Sequence, residues 1–223
     1  MKPFLDVNVI AMRAAKEIKD GECVNLGAGM PALVANYIFP DVRPILHSEI
    51  GCVNFTHVLT EDEADKIDYD YAIIGGFVLP EPGMAIVDHC ESFIIIRGGR
   101  LDLSIMGGRQ VSARGDLANW NAEARPKAGG IGGSMDLAVG ARRVLITMTH
   151  ITRDGEPKIV NECKLALTAK ECVDLIVTDL AVIEVTSQGL LLKEIAPGWT
   201  VEEVQALTEP KLIIADDLAE MTL

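Results

Sequence analysis

The sequence predicts one α/β domain covering residues 1–223, with three layers in which a mostly parallel sheet lies between helices. Short apolar runs rich in β-branched residues predict the sheet, because runs without polar alternation are typical of strands buried on both faces. Segments with helical periodicity lie among these runs and predict the outer layers. A length of 223 residues suits one large domain, and no linker, internal repeat or low-complexity tract divides the chain.

Two helices are predicted from their periodicity and their first residues. Apolar residues recur at helical spacing over residues 7–18, and Asp6 is a suitable N-cap for this segment. Near the C-terminus, Thr200 and Glu203 have the spacing of a capping box, which predicts a helix over Val201–Leu207.

A strand, a glycine turn and a helix follow one another near the N-terminus. Cys23–Leu26 is predicted as a short buried strand that ends in the turn Gly27–Pro31. Ala32–Phe39 is predicted as a helix, with Pro31 in its first turn, where proline is well tolerated.

The rest of the chain contains further apolar runs separated by glycine and polar segments. Residues 60–70 carry six acidic side chains and predict an exposed loop or helix. The other predicted strands are Pro44–Ser48, Tyr71–Ile74, Ser92–Ile96, Leu103–Met106, Arg143–Met148, Val173–Thr178 and Leu180–Val185.

Charge and composition exclude several classes of function. The net charge of −13 disfavours a protein that binds nucleic acid or anionic lipid electrostatically, so an anionic ligand must bind at a local exception to this field. No apolar run approaches the ~20 residues that cross a bilayer, and Met1–Asp6 leads into a charged segment without a signal core, so we expect a cytoplasmic protein. The five cysteines and four histidines lack metal-binding spacing, so we expect reduced thiols and no metal.

The first glycine turn admits two interpretations. Gly27-x-Gly29-x-x-Ala32 satisfies the dinucleotide-binding pattern, and Glu49, 20 residues after Gly29, stands where a ribose-binding acid would be. This favours an NAD-dependent dehydrogenase of the Rossmann type, although Pro31 removes one N–H donor from the helix start. In the other interpretation the glycines only permit a tight turn, and Glu49 is a solvated carboxylate.

Eight motifs occur in order along nearly the whole chain. They are Asn25–Pro31, His47–Gly51, Ser92–Gly99, Gly115–Trp120, Gly130–Leu137, Cys163–Thr168, Val177–Val182 and Glu194–Gly198. Together they resemble the B (beta) subunit of family I coenzyme A (CoA) transferases, which include the 3-oxoacid, acetate and butyrate–acetoacetate enzymes.

The resemblance implies a covalent mechanism centred on Glu49. This residue matches the family's catalytic glutamate, which attacks an acyl-CoA to form an acyl anhydride and then carries CoA as a thioester. No metal or redox cofactor is implied, because CoA is itself the substrate and is transiently covalent. A glutamate with an ordinary pKa of ~4.3 is already ionised at neutral pH, so it needs no partner base.

The resemblance also assigns roles to glycines around the nucleophile. Within the glycine-rich segment 129–133, Gly133 matches the residue whose amide donates to the reacting carbonyl, and Gly132 belongs to the same motif. Gly27, Ala28 and Gly29 are expected to form a wall of the acyl or CoA pocket.

Other residues of these motifs are expected to support the site. Ser48 and Ile50 should fix the strand end that carries Glu49, and Asn119 with Trp120 should brace the active-site loop. Arg97 and Arg100 are candidates for CoA phosphates, although solvated or structural ion pairs explain them equally well. Ile50 replaces the asparagine usual in the family, and the loop after it lacks the usual glycines, which predicts an altered acyl specificity.

A second subunit is expected, because anhydride and thioester intermediates require a closed site that excludes water. The resemblance implies a separate A (alpha) subunit of similar fold, in an α2β2 or larger assembly. A third hypothesis, beside the transferase and the dehydrogenase, is a non-catalytic ligand-binding subunit on the same fold.

Overall fold

The computed structural model describes residues 2–120 and 130–222. The chain forms a ten-stranded sheet with the order β15-β14-β13-β12-β10-β7-β1-β2-β3-β6, a three-stranded sheet with the order β11-β8-β9, and the hairpin β4-β5. The strands are β1 Cys23–Leu26, β2 Ile45–His47, β3 Cys52–Phe55, β4 Ala72–Ile73, β5 Gly76–Phe77, β6 Ala85–Ile86, β7 Leu103–Gly107, β8 Gln110–Ser112, β9 Leu117–Ala118, β10 Val144–Met148, β11 Ile159–Val160, β12 Leu175–Thr178, β13 Ala181–Thr186, β14 Gly189–Ile195 and β15 Ile213–Glu220.

The centre of the large sheet is parallel and its flanks are mixed. Strands β2, β1, β7, β10 and β12 pair in parallel, as the sequence predicts. Antiparallel pairs join β2 to β3, β3 to β6, β12 to β13 and β13 to β14, whereas β14 and β15 are parallel.

Within residues 2–120 and 130–222, five α-helices and two 3₁₀ helices accompany the sheets. The α-helices are α1 Val7–Ala15, α2 Met30–Leu33, α3 His89–Arg97, α4 Ser134–Gly140 and α5 Val201–Ala206; the 3₁₀ helices are Val34–Tyr37 and Glu61–Lys66. The predicted N-caps are confirmed, because Asp6 accepts the N–H of Asn8 at 2.9 Å and Thr200 accepts that of Glu203 at 3.3 Å. The acidic segment 60–70, predicted as an exposed loop or helix, forms the 3₁₀ helix Glu61–Lys66, which has no buried residue.

The two faces of the sheet carry separate apolar clusters, which confirms the predicted three layers. Leu103 and Ile105 of β7 pack in a cluster with buried residues of α1. Met106, from the opposite face of the same strand, packs in a cluster with Ile96 of α3 and Leu137 of α4. Helices therefore cover both faces of the central strands.

The prediction of a strand over Ser92–Ile96 is wrong, since these residues belong to α3. The isoleucine run favours a strand locally, but Asp88 and Glu91 form a capping box, and buried Ser92 and Ile96 share one helical face. The predicted strand at 71–74 shortens to β4, which lies outside the large sheet. Within the described ranges, no helix is long and apolar enough to span a bilayer.

Candidate active site

A cavity of about 670 Å³ opens at the carboxyl ends of the central parallel strands. Strand order reverses at β1, with β2 on one side and β7 on the other, and such a reversal is where open α/β sheets bind ligands. The lining residues are Asn25, Leu26, Gly27, Ala28, Met30, Pro31, Glu49, Ile74, Met106, Gly107, Gly108, Arg109, Asn119, Gly130, Ile131, Gly132, Ser134, Leu137, Thr147, Met148, Thr149 and Lys158.

Glu49 lies in a tight turn between β2 and β3. The N–H of Gly51 donates to the carbonyl of Ser48 at 2.9 Å, which closes the turn. The N–H of Ser48 donates to the carbonyl of Cys52 at 2.8 Å. Gly51 has a φ of 111°, and a Cβ there would overlap the Val87 carbonyl. The turn therefore holds Glu49 rigidly at the end of a strand, as a functional side chain requires.

The Glu49 carboxylate meets the glycine-rich segment across the cavity. The backbone N–H of Gly133 faces it as a hydrogen-bond donor that lowers its pKa, and a Cβ at Gly132 would lie 3.5 Å from Glu49 Oε1. Burial raises the pKa of Glu49, and the Gly133 hydrogen bond and the charge of His89 oppose this rise. The negative charge of Asp136 adds to the rise in this pKa.

Only glycine fits at position 133. A Cβ there would lie 2.6 Å from Glu49 Oε2 and 2.8 Å from Phe93 Cζ, both closer than a carbon side chain tolerates. Gly133 has a φ of −84°, which any residue adopts, so steric space and not backbone conformation demands glycine.

A buried polar network supports the Glu49 turn from beneath. His47 is fully buried, and burial lowers its pKa to about 4, so its ring is neutral at physiological pH. Asn25 Nδ2 lies 3.0 Å from His47 Nδ1, and Ser92 Oγ lies 3.0 Å from His47 Nε2. Ser48 Oγ accepts the N–H of Ile74 at 3.1 Å. The network ties the residue before Glu49 to β1, to α3 and to the loop at 74.

The first glycine turn forms one wall of the cavity. Gly27 and Ala28 line it, whereas Gly29 does not line it and is the exposed N-cap residue of α2. A Cβ at Gly75 would lie 3.0 Å from the Gly29 nitrogen, so the glycine at 75 lets two loops pack together.

Asn119 and Trp120 connect the cavity to neighbouring loops. Asn119 lines the cavity and donates to Ser134 Oγ at 3.2 Å, next to Gly133. Thr168 Oγ1 donates to Asn119 Oδ1 at 2.7 Å, and Trp120 Nε1 donates to the Leu167 carbonyl at 3.3 Å. These bonds fix the entry to α4.

Several predicted residues lie elsewhere. Ser48 is buried behind the cavity, and Ile50 is 38% exposed and does not line it. Arg97 pairs with Asp136 at 2.7 Å, and Arg100 is exposed. Gly129, part of the predicted glycine segment, lies outside the described residues.

Sequence reasoning missed part of the lining. Thr147 and Thr149 lie at the end of β10, and Arg109 follows β7, positions that the carboxyl-edge rule for parallel strands would have favoured. Lys158 directly precedes β11, and no motif or spacing around it in the sequence indicated a place in the cavity. In the described ranges, no group of three or more His, Cys, Asp and Glu side chains is arranged to hold a metal ion.

Comparison with known proteins identifies relatives over nearly the whole chain. Residues 7–207 match the family model described as Coenzyme A transferase. The chain is 42% identical over 205 residues to the beta subunit of a probable coenzyme A transferase of Bacillus subtilis, covering 92% of this chain and 93% of the relative. It is 44% identical over 206 residues to the B subunit of a 3-oxoadipate CoA-transferase of Pseudomonas putida, covering 92% and 94%. It is 40% identical over 209 residues to the beta subunit of the acetate CoA-transferase of Escherichia coli, covering 94% of each.

Solved structures share the fold at lower identity. An acyl-CoA transferase from Escherichia coli O157:H7 superposes with a TM-score of 0.74 at 21% identity, covering 100% of this chain and 44% of that longer one. Glutaconate coenzyme A-transferase from Acidaminococcus fermentans superposes with a TM-score of 0.70 at 18% identity, covering 99% and 91%.

Proposed function

Because the chain belongs to the coenzyme A transferase family, whose members move CoA between carboxylic acids, we propose that it is the catalytic B subunit and that Glu49 carries the CoA. The observation that supports Glu49 most directly is its position in the cavity under the backbone N–H of Gly133. The dehydrogenase hypothesis is not supported, since the coenzyme A transferase family model covers residues 7–207, which include the glycine turn, and α2 is only four residues long.

The proposed reaction proceeds through two acyl transfers on one carboxylate. A Glu49 oxygen attacks the thioester carbonyl of an acyl-CoA, the C–S bond breaks, and an acyl–glutamyl anhydride forms with release of CoA thiolate. The thiolate attacks the Glu49 Cδ, the first acid leaves as a carboxylate, and the enzyme becomes a glutamyl-CoA thioester. A second acid reverses these steps and leaves as the new acyl-CoA.

Gly133 is the proposed oxyanion donor for this reaction. When the thiolate attacks the Glu49 Cδ, negative charge develops on the oxygen to which the Gly133 N–H already points. One such fixed donor contributes roughly 3–4 kcal/mol to the stability of a transition state. No metal and no redox cofactor take part in the proposed chemistry.

A separate A subunit is proposed as the partner, because the relatives are named as B or beta subunits. Glu49 lines an open cavity, so another chain is needed to exclude water from the intermediates. Apolar side chains are exposed on segments that also carry site residues, namely Ile50 at 38% after Glu49, and Met135 at 51% and Val139 at 77% on α4, and such exposed apolar surface suits subunit contact. We propose an α2β2 or larger assembly that acts on short-chain acids.

The test is direct detection of the covalent intermediate. The chain is purified together with its A subunit, incubated with an acyl-CoA and digested. We expect a peptide containing Glu49 that is heavier by the mass of CoA less one water, and Glu49→Gln should lose both this adduct and acyl exchange.

Stability measurements separate a chemical effect of this variant from misfolding. Because burial raises the pKa of Glu49, the ionised carboxylate is less stable in the folded state, so its contribution to stability falls as pH rises through that pKa. Glu49→Gln should therefore unfold no more easily than wild type at pH 7. Wild-type turnover by this variant would refute the assignment, and an unmodified peptide in the active complex would favour a non-catalytic role for this chain.

A further inference from the structure

A series of buried hydrogen bonds leads from the cavity wall to the turn that carries Glu49. It begins at Asn25, which lines the cavity, and passes to the ring of His47. From this ring it passes to the Ser92 hydroxyl and ends at the Ser48 carbonyl. None of these four residues is more than 1% exposed. Because the groups are withdrawn from solvent, they must satisfy one another, and the direction of each bond follows from which atoms carry hydrogen.

The amide of Asn25 fixes the first bond of the series. Its Nδ2 lies 3.2 Å from the carbonyl oxygen of His47 and 3.0 Å from His47 Nδ1. A carbonyl oxygen only accepts hydrogen bonds, so the amide atom that faces it must be the NH2 nitrogen and not the oxygen. The same nitrogen is a donor toward His47 Nδ1. This ring nitrogen therefore carries no hydrogen.

The ring of His47 carries this order to Ser92. Burial lowers the pKa of His47 to about 4, so the ring is neutral and holds one hydrogen, which must be on Nε2. Nε2 donates this hydrogen to Ser92 Oγ at 3.0 Å, and the Ser92 hydroxyl then donates to the Ser48 carbonyl, 3.4 Å away. The series thus has a single direction, from Asn25 toward the residue before Glu49.

Pairing in the sheet does not hold this turn by itself. Strand β2 shifts register against β3 just before His47, and the pairing passes over Asn54, which has a φ of 62°. The ladder is therefore irregular directly before the turn. The Ser48 carbonyl closes the turn by accepting the N–H of Gly51 at 2.9 Å. A second donor on that oxygen fixes the peptide that precedes Glu49.

We infer that His47 is a positioning residue, whose Nε2–H acts through Ser92 to fix the turn that carries Glu49. This inference rests on the proposed function, since it takes Glu49 as the reacting group. Neither His47 nor Ser92 is among the lining residues of the cavity, so neither contacts the substrate. Their effect on the reaction is geometric, because a displacement of about 1 Å at a reacting group can cost about 100-fold in rate.

The first variant removes the last donor of the series. Ser92→Ala is studied in the complex with the A subunit, and the growth of the CoA adduct on Glu49 is followed in a single turnover. The rate at saturating acyl-CoA should fall by roughly 10- to 100-fold, because the turn loses its second donor. The acyl-CoA concentration that gives half of this rate should stay near that of wild type, because the cavity lining is unchanged.

Thr208→Val is the matched control. Thr208 Oγ1 lies 2.9 Å from Nε2 of His150, which is also fully buried with a pKa of about 4, and it donates to the Val204 carbonyl at 2.8 Å. Its bonding thus repeats that of Ser92, but neither Thr208 nor His150 lines the cavity. Thr208→Val should lower the midpoint of thermal unfolding as Ser92→Ala does, while its rate stays within about twofold of wild type.

Two substitutions of His47 test the direction of the series. The amide group of glutamine reaches the position of Nε2 and keeps a donor toward Ser92, whereas the amide group of asparagine reaches only the position of Nδ1. His47→Gln should therefore retain most of the rate, and His47→Asn should lose as much as Ser92→Ala. Both substitutions remove the titrating ring, so a difference between them does not come from its charge.

The outcomes separate this inference from the proposed function. All rates are measured well below the unfolding midpoints, so a loss of stability does not alter them. Equal rates for Ser92→Ala and Thr208→Val, equal rates for the two His47 variants, or a change in the half-saturating concentration alone would overturn the positioning role. The adduct on wild-type Glu49 would still support the proposed function in these cases. If no acyl-CoA labels Glu49 in wild type, both fail.

Discussion

At the scale of single residues, the site depends on a contact between one carboxylate and one glycine. Burial disfavours the charge of Glu49, and the Gly133 N–H stabilises it where the carboxylate faces the cavity. Phe93 Cζ and the Glu49 carboxylate both lie within 2.8 Å of the place where a Cβ of residue 133 would be, so a side chain at this position has no room. Small displacements at this point change the position of the Glu49 carboxylate, the proposed reacting group.

We predict that Gly133→Ala loses activity without losing the fold. The backbone conformation suits alanine, but its Cβ would lie 2.6 Å from Glu49 Oε2 and must displace the carboxylate. The kcat should fall by about 10²- to 10³-fold, as on loss of an oxyanion-hole donor. Steady-state kinetics and thermal unfolding of the complex measure the two effects.

Gly130→Ala is the matched control for this variant. A Cβ at position 130 meets no atom of the described residues within 4 Å, apart from its chain neighbours, so the loss in kcat should be much smaller than for Gly133→Ala. Equal losses for the two variants would show that glycine is needed for the loop and not for the position of Glu49.

At the scale of elements, α3 connects a local capping signal to the catalytic geometry. Asp88 accepts the N–H of Cys90 at 2.8 Å and Glu91 accepts the N–H of Asp88 at 3.2 Å, which starts the helix. The helix then places Ser92 under the Glu49 turn and Phe93 against Gly133. Its start therefore matters for both stability and catalysis.

We predict different effects for loss of two equivalent caps. Asp88→Ala and Thr200→Ala each remove a capping box, and each should lower the free energy of unfolding by about 1 kcal/mol. Only Asp88→Ala should also lower kcat, because α3 reaches the site through Ser92, next to His47, and Phe93, next to Gly133, whereas no residue of α5 lines the cavity. Denaturant unfolding and kinetics of both variants test this, and a matching kcat for the two would contradict the link from α3 to the site.

At the scale of the whole molecule, buried neutral histidines connect distant elements. His150 is fully buried, with Nδ1 2.9 Å from Thr178 Oγ1 and Nε2 2.9 Å from Thr208 Oγ1, so it joins the end of β12 to the segment after α5. Burial lowers its pKa to about 4, and the charge of Lys158 contributes. His47 has the same low pKa beneath the Glu49 turn.

These histidines predict a loss of stability in mild acid. The unfolded chain binds a proton near pH 6.5 and the folded chain only near pH 4, so the stability is complete above pH 6.5 and falls as pH drops between these values. His150 alone should account for about 2–3 kcal/mol of this fall.

Urea unfolding of wild type and His150→Gln at pH 7 and pH 4.5 measures this contribution. The carboxylates titrate in both proteins, so the difference between them isolates the histidine. We expect the variant to lose less stability on acidification. If wild type and His150→Gln lost equal stability on acidification, His150 would not have the lowered pKa that its burial implies.

Part of this molecule could be predicted because the signals are local. Asp6 and Thr200 identified helix starts, the buried runs around Leu103 and Val144 identified central strands, and the motif around Glu49 placed a carboxylate at a strand end. Local hydrogen bonding, periodicity and packing of a short segment decide these features, so a few neighbouring residues suffice.

The sequence by itself determined the α/β class and the family resemblance, and it singled out Glu49 as the proposed reacting carboxylate. Tertiary structure alone decided that residues 92–96 form a helix, that the Gly133 N–H meets Glu49, and that Arg109 and Lys158 share its cavity. Each of these depends on strands far apart in sequence becoming neighbours in one sheet. Local propensity carries no information about that pairing, because the free energy that selects it comes from burial across the whole domain.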